Sequence, residues 1–125
     1  MSVTELYETA LRLRDTEREV RAANQRRWDY EAKFGRSYTS WSPHGPSDTL
    51  NGRHEGGLRM VRELLEALDE FNEGWTFCVT GAGDAYCSRG MVHNDTGEVR
   101  TVALDGPDAG KLVSVPDAKA VPSRG

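Results

Sequence analysis

Two cysteines, three histidines and four turn-located aspartates are the groups in this chain that could carry chemistry. Cys78 and Cys87 flank the turn Gly81-Ala82-Gly83-Asp84. If those four residues make the connection between two strands, Thr80 faces Ala85 and Cys78 lies opposite Cys87 on one sheet face. Reduced packing cysteines are then favoured over a cross-strand disulfide, whose geometry is demanding. They are also favoured over metal ligation. A zinc site needs about four ligands in tetrahedral array, and only His44, His54 and His93 could complete it. His93 lies six residues along the strand from Cys87, too far for a shared metal or for a thiolate and its base. No metal or cofactor is expected.

Asp84, Asp95, Asp105 and Asp108 all fall in turns, where aspartate is favoured for its backbone hydrogen bonds alone. A turn-located site of Asp, Cys and His is the enzyme reading the chain allows, and it requires a concavity gathering Asp84, Cys87 or His93 with a second polar group. The run VTGAGDAYC lacks the Lys-Ser/Thr ending of a phosphate-binding loop, and no nucleophile-elbow sequence is present.

The segment Arg26 to Arg36 has a different chemistry. Arg26, Arg27, Lys33 and Arg36 are interleaved with Trp28, Tyr30 and Phe34, a mixture able to contact phosphates and stack on bases. Asp29 and Glu31 dilute its charge, and Asp29–Lys33 has the spacing of an ordinary helix-surface pair. Protein contact is therefore preferred to nucleic acid. No segment carries a family signature, so no activity enters by resemblance.

The elements that must position these groups follow from periodicity. From Thr4 to Lys33 there is neither Pro nor Gly, which predicts a long first helix, with Thr4 as a cap and Gly35 as its stop. Leu6, Tyr7, Ala10 and Leu13 form an apolar stripe that thins to Val20 before Trp28. Thirty helical residues span about 45 Å, more than the roughly 35 Å diameter of a compact globule of this size. The helix must break in the polar Arg12–Arg21 stretch or project toward another chain.

Residues 35–54 read as a loop or linker, anchored by Tyr38 and Trp41. A second helix is expected from Glu55 to Asn72, with Leu58, Val61, Leu64, Leu65, Leu68 and Phe71 on one face. From Trp75 the period changes to two, and four strands joined by short turns predict an antiparallel meander. Its inward face would hold Trp75, Phe77, Val79, Tyr86, Val92 and Val99, with Gly90 leaving room for Trp75. The predicted class is α+β: a long N-terminal helix, and a second amphipathic helix packed on a C-terminal four-stranded meander. The predicted division is a helical interaction segment (1–34), the linker (35–54), a compact core (55–116) and a weakly held tail (117–125).

The chain has 125 residues, with 16 Lys and Arg against 20 Asp and Glu for a formal charge of -4. That size buries roughly two-thirds of the chain's surface in one core, and the charge argues against a globally basic nucleic-acid surface. No run approaches the roughly 20 apolar residues of a membrane span, so the expected location is the cytoplasm or a particle assembled there. The function expected from these features is non-catalytic: self-association or docking onto a protein partner through Leu6, Tyr7, Ala10, Leu13, Val20 and Trp28. The alternative is a nucleic-acid accessory role through Arg26, Arg27, Tyr30, Lys33 and Arg36.

Overall fold

The computed structural model describes residues 2–35, 48–116 and 121–122. Helix α1 spans Val3–Phe34 without interruption, a length of about 48 Å. Its cap is Ser2 rather than Thr4: Ser2 Oγ accepts from the Glu5 N–H at 3.2 Å, satisfying one of the unpaired first-turn donors. Gly35 ends it in the left-handed region, at φ 63°, where its N–H donates to the Glu31 carbonyl.

Helix α2 spans Asp48–Ala67, seven residues ahead of the expected Glu55 start. The Asn51-Gly52 pair, a turn signal by composition, lies inside the helix. Packing overrides local preference here. A Cβ on Gly57 would sit 3.1 Å from Leu13 Cδ1, and His54 meets Glu17. These two contacts run in opposite directions along the helices, so α1 and α2 form an antiparallel pair. The helix also stops short of Asn72. A single 3-10 turn, Asp69–Phe71, follows it and swings the buried Phe71 ring edge-on to Trp75 at 5.1 Å.

Strands β1 (Trp75–Val79), β2 (Arg89–His93), β3 (Val99–Val102) and β4 (Leu112–Ser114) form the expected meander. The tail is not loose throughout. Val121–Pro122 forms β5 and pairs antiparallel with Cys78 and Val79, giving the order β4-β3-β2-β1-β5.

The register of β1 against β2 differs from the expected one. Trp75 pairs with His93 and Cys78 with Gly90, because Tyr86 and Cys87 leave β1 and bond to β3 instead: Tyr86 bridges Ala103, and the Cys87 N–H donates to the Val102 carbonyl. The slip is odd-numbered, so every β2 side chain changes face. Met91, opposite Phe77, joins the helix-side core. Val92 and Val99 pair with each other, and Val92 with Thr76, on the other face. Val79 stands 39% exposed. The core beneath the helices joins Leu6, Leu13, Val61, Leu65, Phe77 and Val102.

Gly90 is not a gap for Trp75. A Cβ there would lie 2.6 Å from the Arg100 carbonyl oxygen and 3.2 Å from Thr101 Cβ. Thr101 is fully buried, and its hydroxyl reaches the carbonyl oxygens of Cys87 at 3.0 Å and Arg89 at 2.7 Å. The glycine lets β3 press onto β2 so that this hydroxyl closes the sheet. Gly90→Ala should therefore destabilise the fold by about 2 kcal/mol, the overpacking cost outweighing the gain of about 0.4–1 kcal/mol from restricting the unfolded chain. Chemical denaturation of the two proteins measures it.

Candidate functional site

The middle of α1 is where the helix meets the end of the sheet. After Ala10, the positions Arg14, Glu17 and Arg21 continue the sheet-facing stripe at three-four spacing, and they are charged. Arg14 Nη1 donates to Asp105 Oδ2 at 3.1 Å and to the Asp84 carbonyl at 3.4 Å. Arg18 Nη2 lies 3.4 Å from Asp84 Oδ2. Glu17 Oε1 is the hub of a tighter cluster, accepting from Arg89 Nη1 at 3.0 Å and lying 3.2 Å from His54 Nε2. The polar stretch is thus accommodated within an unbroken helix, its charges finding partners on α2, β2 and two turns.

Arg14, Glu17, Arg21 and Asp84 border a cleft of about 330 Å³ between α1 and the β1–β2 connection, closed by Ala82, Tyr86, Cys87 and Ser88. Arg14 Nε is buried there without a hydrogen-bond partner. A second, smaller cleft continues from Arg21 and Ser88 toward Val20 and His54.

The expected chemical groups are gathered in part. Asp84 and Cys87 line the cleft. His93 does not. It packs edge-on to Trp75 at 4.9 Å, with its Nδ1 accepting from the Asp95 and Thr96 N–H groups. Cys78, on the far side of the sheet from the helix-side core holding Cys87, is not its neighbour. Both thiols are free. Burial pushes the pKa of each thiol up, and the backbone hydrogen bonds near them offset this only in part. The thiol, not the nucleophilic thiolate, is the form held at neutral pH. His44 lies outside the described residues. Among those described, no three His, Cys, Asp or Glu side chains converge as metal ligands.

The residues expected to form a partner surface divide sharply. Leu6, Ala10 and Leu13 are 0%, 1% and 4% exposed, inside the chain's own core, and Tyr7 packs against that core with its ring over Gly110. This corrects the expectation that the N-terminal stripe faces a partner: α2 and the sheet have already covered it. Val20 is half-buried, whereas Trp28 stands 53% exposed. Arg26 and Lys33 are exposed, Arg27 and Tyr30 half-buried, and Arg36 lies outside the described residues, as do Tyr38 and Trp41. The Tyr30 and Phe34 rings pack 4.8 Å apart, with Lys33 Nζ 5.3 Å from the Phe34 centroid.

Sequence reasoning missed the Glu17 cluster. Its signal was present: a glutamate on the apolar stripe calls for a buried cation, though periodicity does not say which. It missed also the groove of about 390 Å³ on the outer side of the helix pair, floored by Thr9, Leu13, Gly56 and Gly57 beside Met60, since neither helix alone forms it.

Two measurements test this geometry. Glu17 and Arg89 side chains are only 18% and 17% exposed, against 61% for Asp105. Glu17→Ala should cost about 2–3 kcal/mol, approaching the penalty for stranding a buried charge, and Asp105→Ala less than about 1 kcal/mol, both read from denaturant midpoints. Because the folded thiols ionise above the unfolded value of about 8.5, their contribution is complete below that pH and is lost as pH rises through their folded values. Stability should fall above about pH 8.5 in the wild type and less steeply in a Cys78→Ala, Cys87→Ala variant.

No protein-family model matches this chain, no curated protein matches it, and no solved structure does.

Proposed function

We infer that this protein works by binding rather than by catalysis, as an interaction or assembly protein whose docking element is the end of α1. The observation that carries this reading is the overhang. The contacts of Leu13 with Gly57 and of Glu17 with His54 set Asp48, the first residue of α2, near the level of Ala23. From Asn24 to Phe34 the helix continues for about 16 Å more. It carries Trp28 at 53% and Phe34 at 55% exposure. Trp28 falls on the same face as Ala10, Glu17 and Arg21 by helical spacing, past the last position that lines the clefts. Exposed aromatics beside arginines are the side chains that anchor protein interfaces. A protein partner or a second copy is the occupant this favours, in the cytoplasm or in a particle assembled there. Among the described residues no helix is long and apolar enough to cross a membrane.

The same overhang bears Arg26, Arg27 and Lys33, which is what a nucleic-acid reading would use. The cleft supports catalysis less well, because its one thiol is held protonated.

Placing a photo-crosslinking amino acid at position 28 or 34, and at exposed Glu73 as a control, separates these readings in the protein's own host. Protease-sensitive adducts at 28 and 34 but not at 73 are expected. Nuclease-sensitive adducts would transfer the role to nucleic acid, and equal labelling at all three sites, or none, would sink the overhang as a docking element.

A further inference from the structure

The outward stripe of α1 is charged and exposed along its length, and its charges are arranged about a centre. We propose that the partner of α1 is a second copy of this chain, laid antiparallel along that stripe about a two-fold axis level with Val20 and Arg21. This rests on the interaction reading above and names its occupant.

At alternating three- and four-residue spacing, one continuous face of the helix presents Glu8, Arg12, Asp15 and Glu19, then Ala22, Arg26, Asp29 and Lys33, all exposed. In the antiparallel arrangement Glu8 meets Lys33, Arg12 meets Asp29 and Asp15 meets Arg26, with Glu19 beside Ala22 at the centre. Every charge on the face but Glu19 then has an opposite charge across the axis, and each pair recurs twice, as an isologous interface requires. Competing arrangements do not share this property. A parallel pair in register sets each charge against itself. Sliding the antiparallel partner by one heptad sets Asp15 against Glu19 in one direction and Glu19 against Asp29 in the other.

Among these charges, intrahelical ion pairing reaches Asp15 alone, at the 4.0 Å limit. Glu8–Arg12 and Asp29–Lys33 have suitable spacing, yet neither pair forms. Among the described residues Glu8, Arg12 and Arg26 enter no ion pair. Asp29 accepts instead from Gln25 at 2.9 Å, and Asp15 is 4.0 Å from Arg18.

Exposed ion pairs contribute little each and serve to fix direction and register. The apolar share comes from the outer groove, whose lining includes Arg12 of the stripe together with Leu13, Gly56, Gly57 and the 49%-exposed Met60. In the antiparallel register positions 30 and 34 of one copy come level with positions 11 and 7 of the other, next to the groove's Arg12 and Thr9. Phe34, 55% exposed, is the side chain it would receive.

Two complementary variants test the arrangement by light scattering and native mass spectrometry. Glu8→Lys with Asp15→Arg makes the outer stripe largely basic, and Arg26→Glu with Lys33→Glu makes it largely acidic. Both alter exposed positions alone, and circular dichroism verifies their folding. The wild type should dimerise, more weakly as salt rises. Each variant alone should raise the dimer dissociation constant by about tenfold or more, and an equimolar mixture should restore a mixed dimer, since every charge pair across the axis becomes favourable together. A wild type that stays monomeric at millimolar concentration would overturn the proposal, as would a dimer indifferent to salt and to both variants, or a mixture that does not recover. A monomer that still forms protease-sensitive adducts to a different protein through position 28 or 34 would remove the second copy and leave the interaction reading standing; absence of both removes each.

Discussion

The close antiparallel approach of α1 and α2 is the contact on which the remaining geometry depends. Leu13 presses against the bare backbone of Gly57, where even a methyl group would stand 3.1 Å from Leu13 Cδ1. A mid-helix glycine costs about 1 kcal/mol of helix propensity, and α2 carries three, Gly52, Gly56 and Gly57. That loss is offset where α2 seals one flank of α1 and brings Val61 and Leu65, both completely buried, into the core with Leu6 and Leu13. Held in this way, the pair offers the sheet a continuous face built from both helices. It also fixes which α1 residues look at β2, which look outward and how far the helix runs past its partner.

Along the sheet-facing stripe, the nature of the contact changes with distance from the N-terminus. Leu6 and Ala10 meet apolar side chains, Arg14 and Glu17 meet turn oxygens and cations, and Trp28 lies beyond these partners. The sheet explains the change. Its helix-side centre is Phe77, Met91 and Val102, whereas the end reached by Glu17 presents Arg89 and the backbone of the β1–β2 connection. A leucine at position 17 would strand Arg89 and His54 without their acceptor, and burying an unpaired cation costs more than the added apolar contact returns. The ionic middle is therefore a consequence of where the sheet ends, and it lies within a helix that continues unbroken where composition alone would allow a break.

The parts of the fold that were legible in the sequence are those set by local pattern. The absence of Pro and Gly from Thr4 to Lys33, the leucines from Leu58 to Leu68 and the period-two runs after Trp75 foretold α1, α2 and the meander. What escaped was decided by distant residues. The β1–β2 register turned on whether Tyr86 and Cys87 pair with β1 or with Ala103 and Val102, and strand β3 wins both. The turn chemistry of Gly81 to Asp84 gave no hint of that competition. One odd-numbered slip then moved Met91 into the core and separated the cysteines. The start of α2 escaped for a similar reason, since Asn51-Gly52 signals a turn only when no neighbouring helix holds the backbone. Of the expected site residues, Trp28 is exposed, past the point where the apolar stripe of α1 thins. Leu6, Ala10 and Leu13 looked like interface residues because the sequence does not say whether a stripe is covered by its own chain or by another.

A charged outer face and an aromatic end suit association that must be specific without being permanent. An apolar seam along the same helix would hold two copies tightly, but apolar contact is poor at choosing direction: leucine meets leucine equally well in either orientation and in registers one heptad apart. Charges at those positions reverse the balance. They add little to affinity in water and discriminate strongly against the wrong alignment, because like charges brought together are repelled while desolvated. Their arrangement about the level of Val20 and Arg21 also solves a geometric problem of long helices. In the proposed dimer, a helix that runs past its partner helix at one end is covered by a copy that does so in the opposite direction, so each copy would bring its aromatic end toward the other's helix pair. In the proposed dimer, the stretch of α1 that runs past the first residue of α2 is the feature that makes two copies complementary.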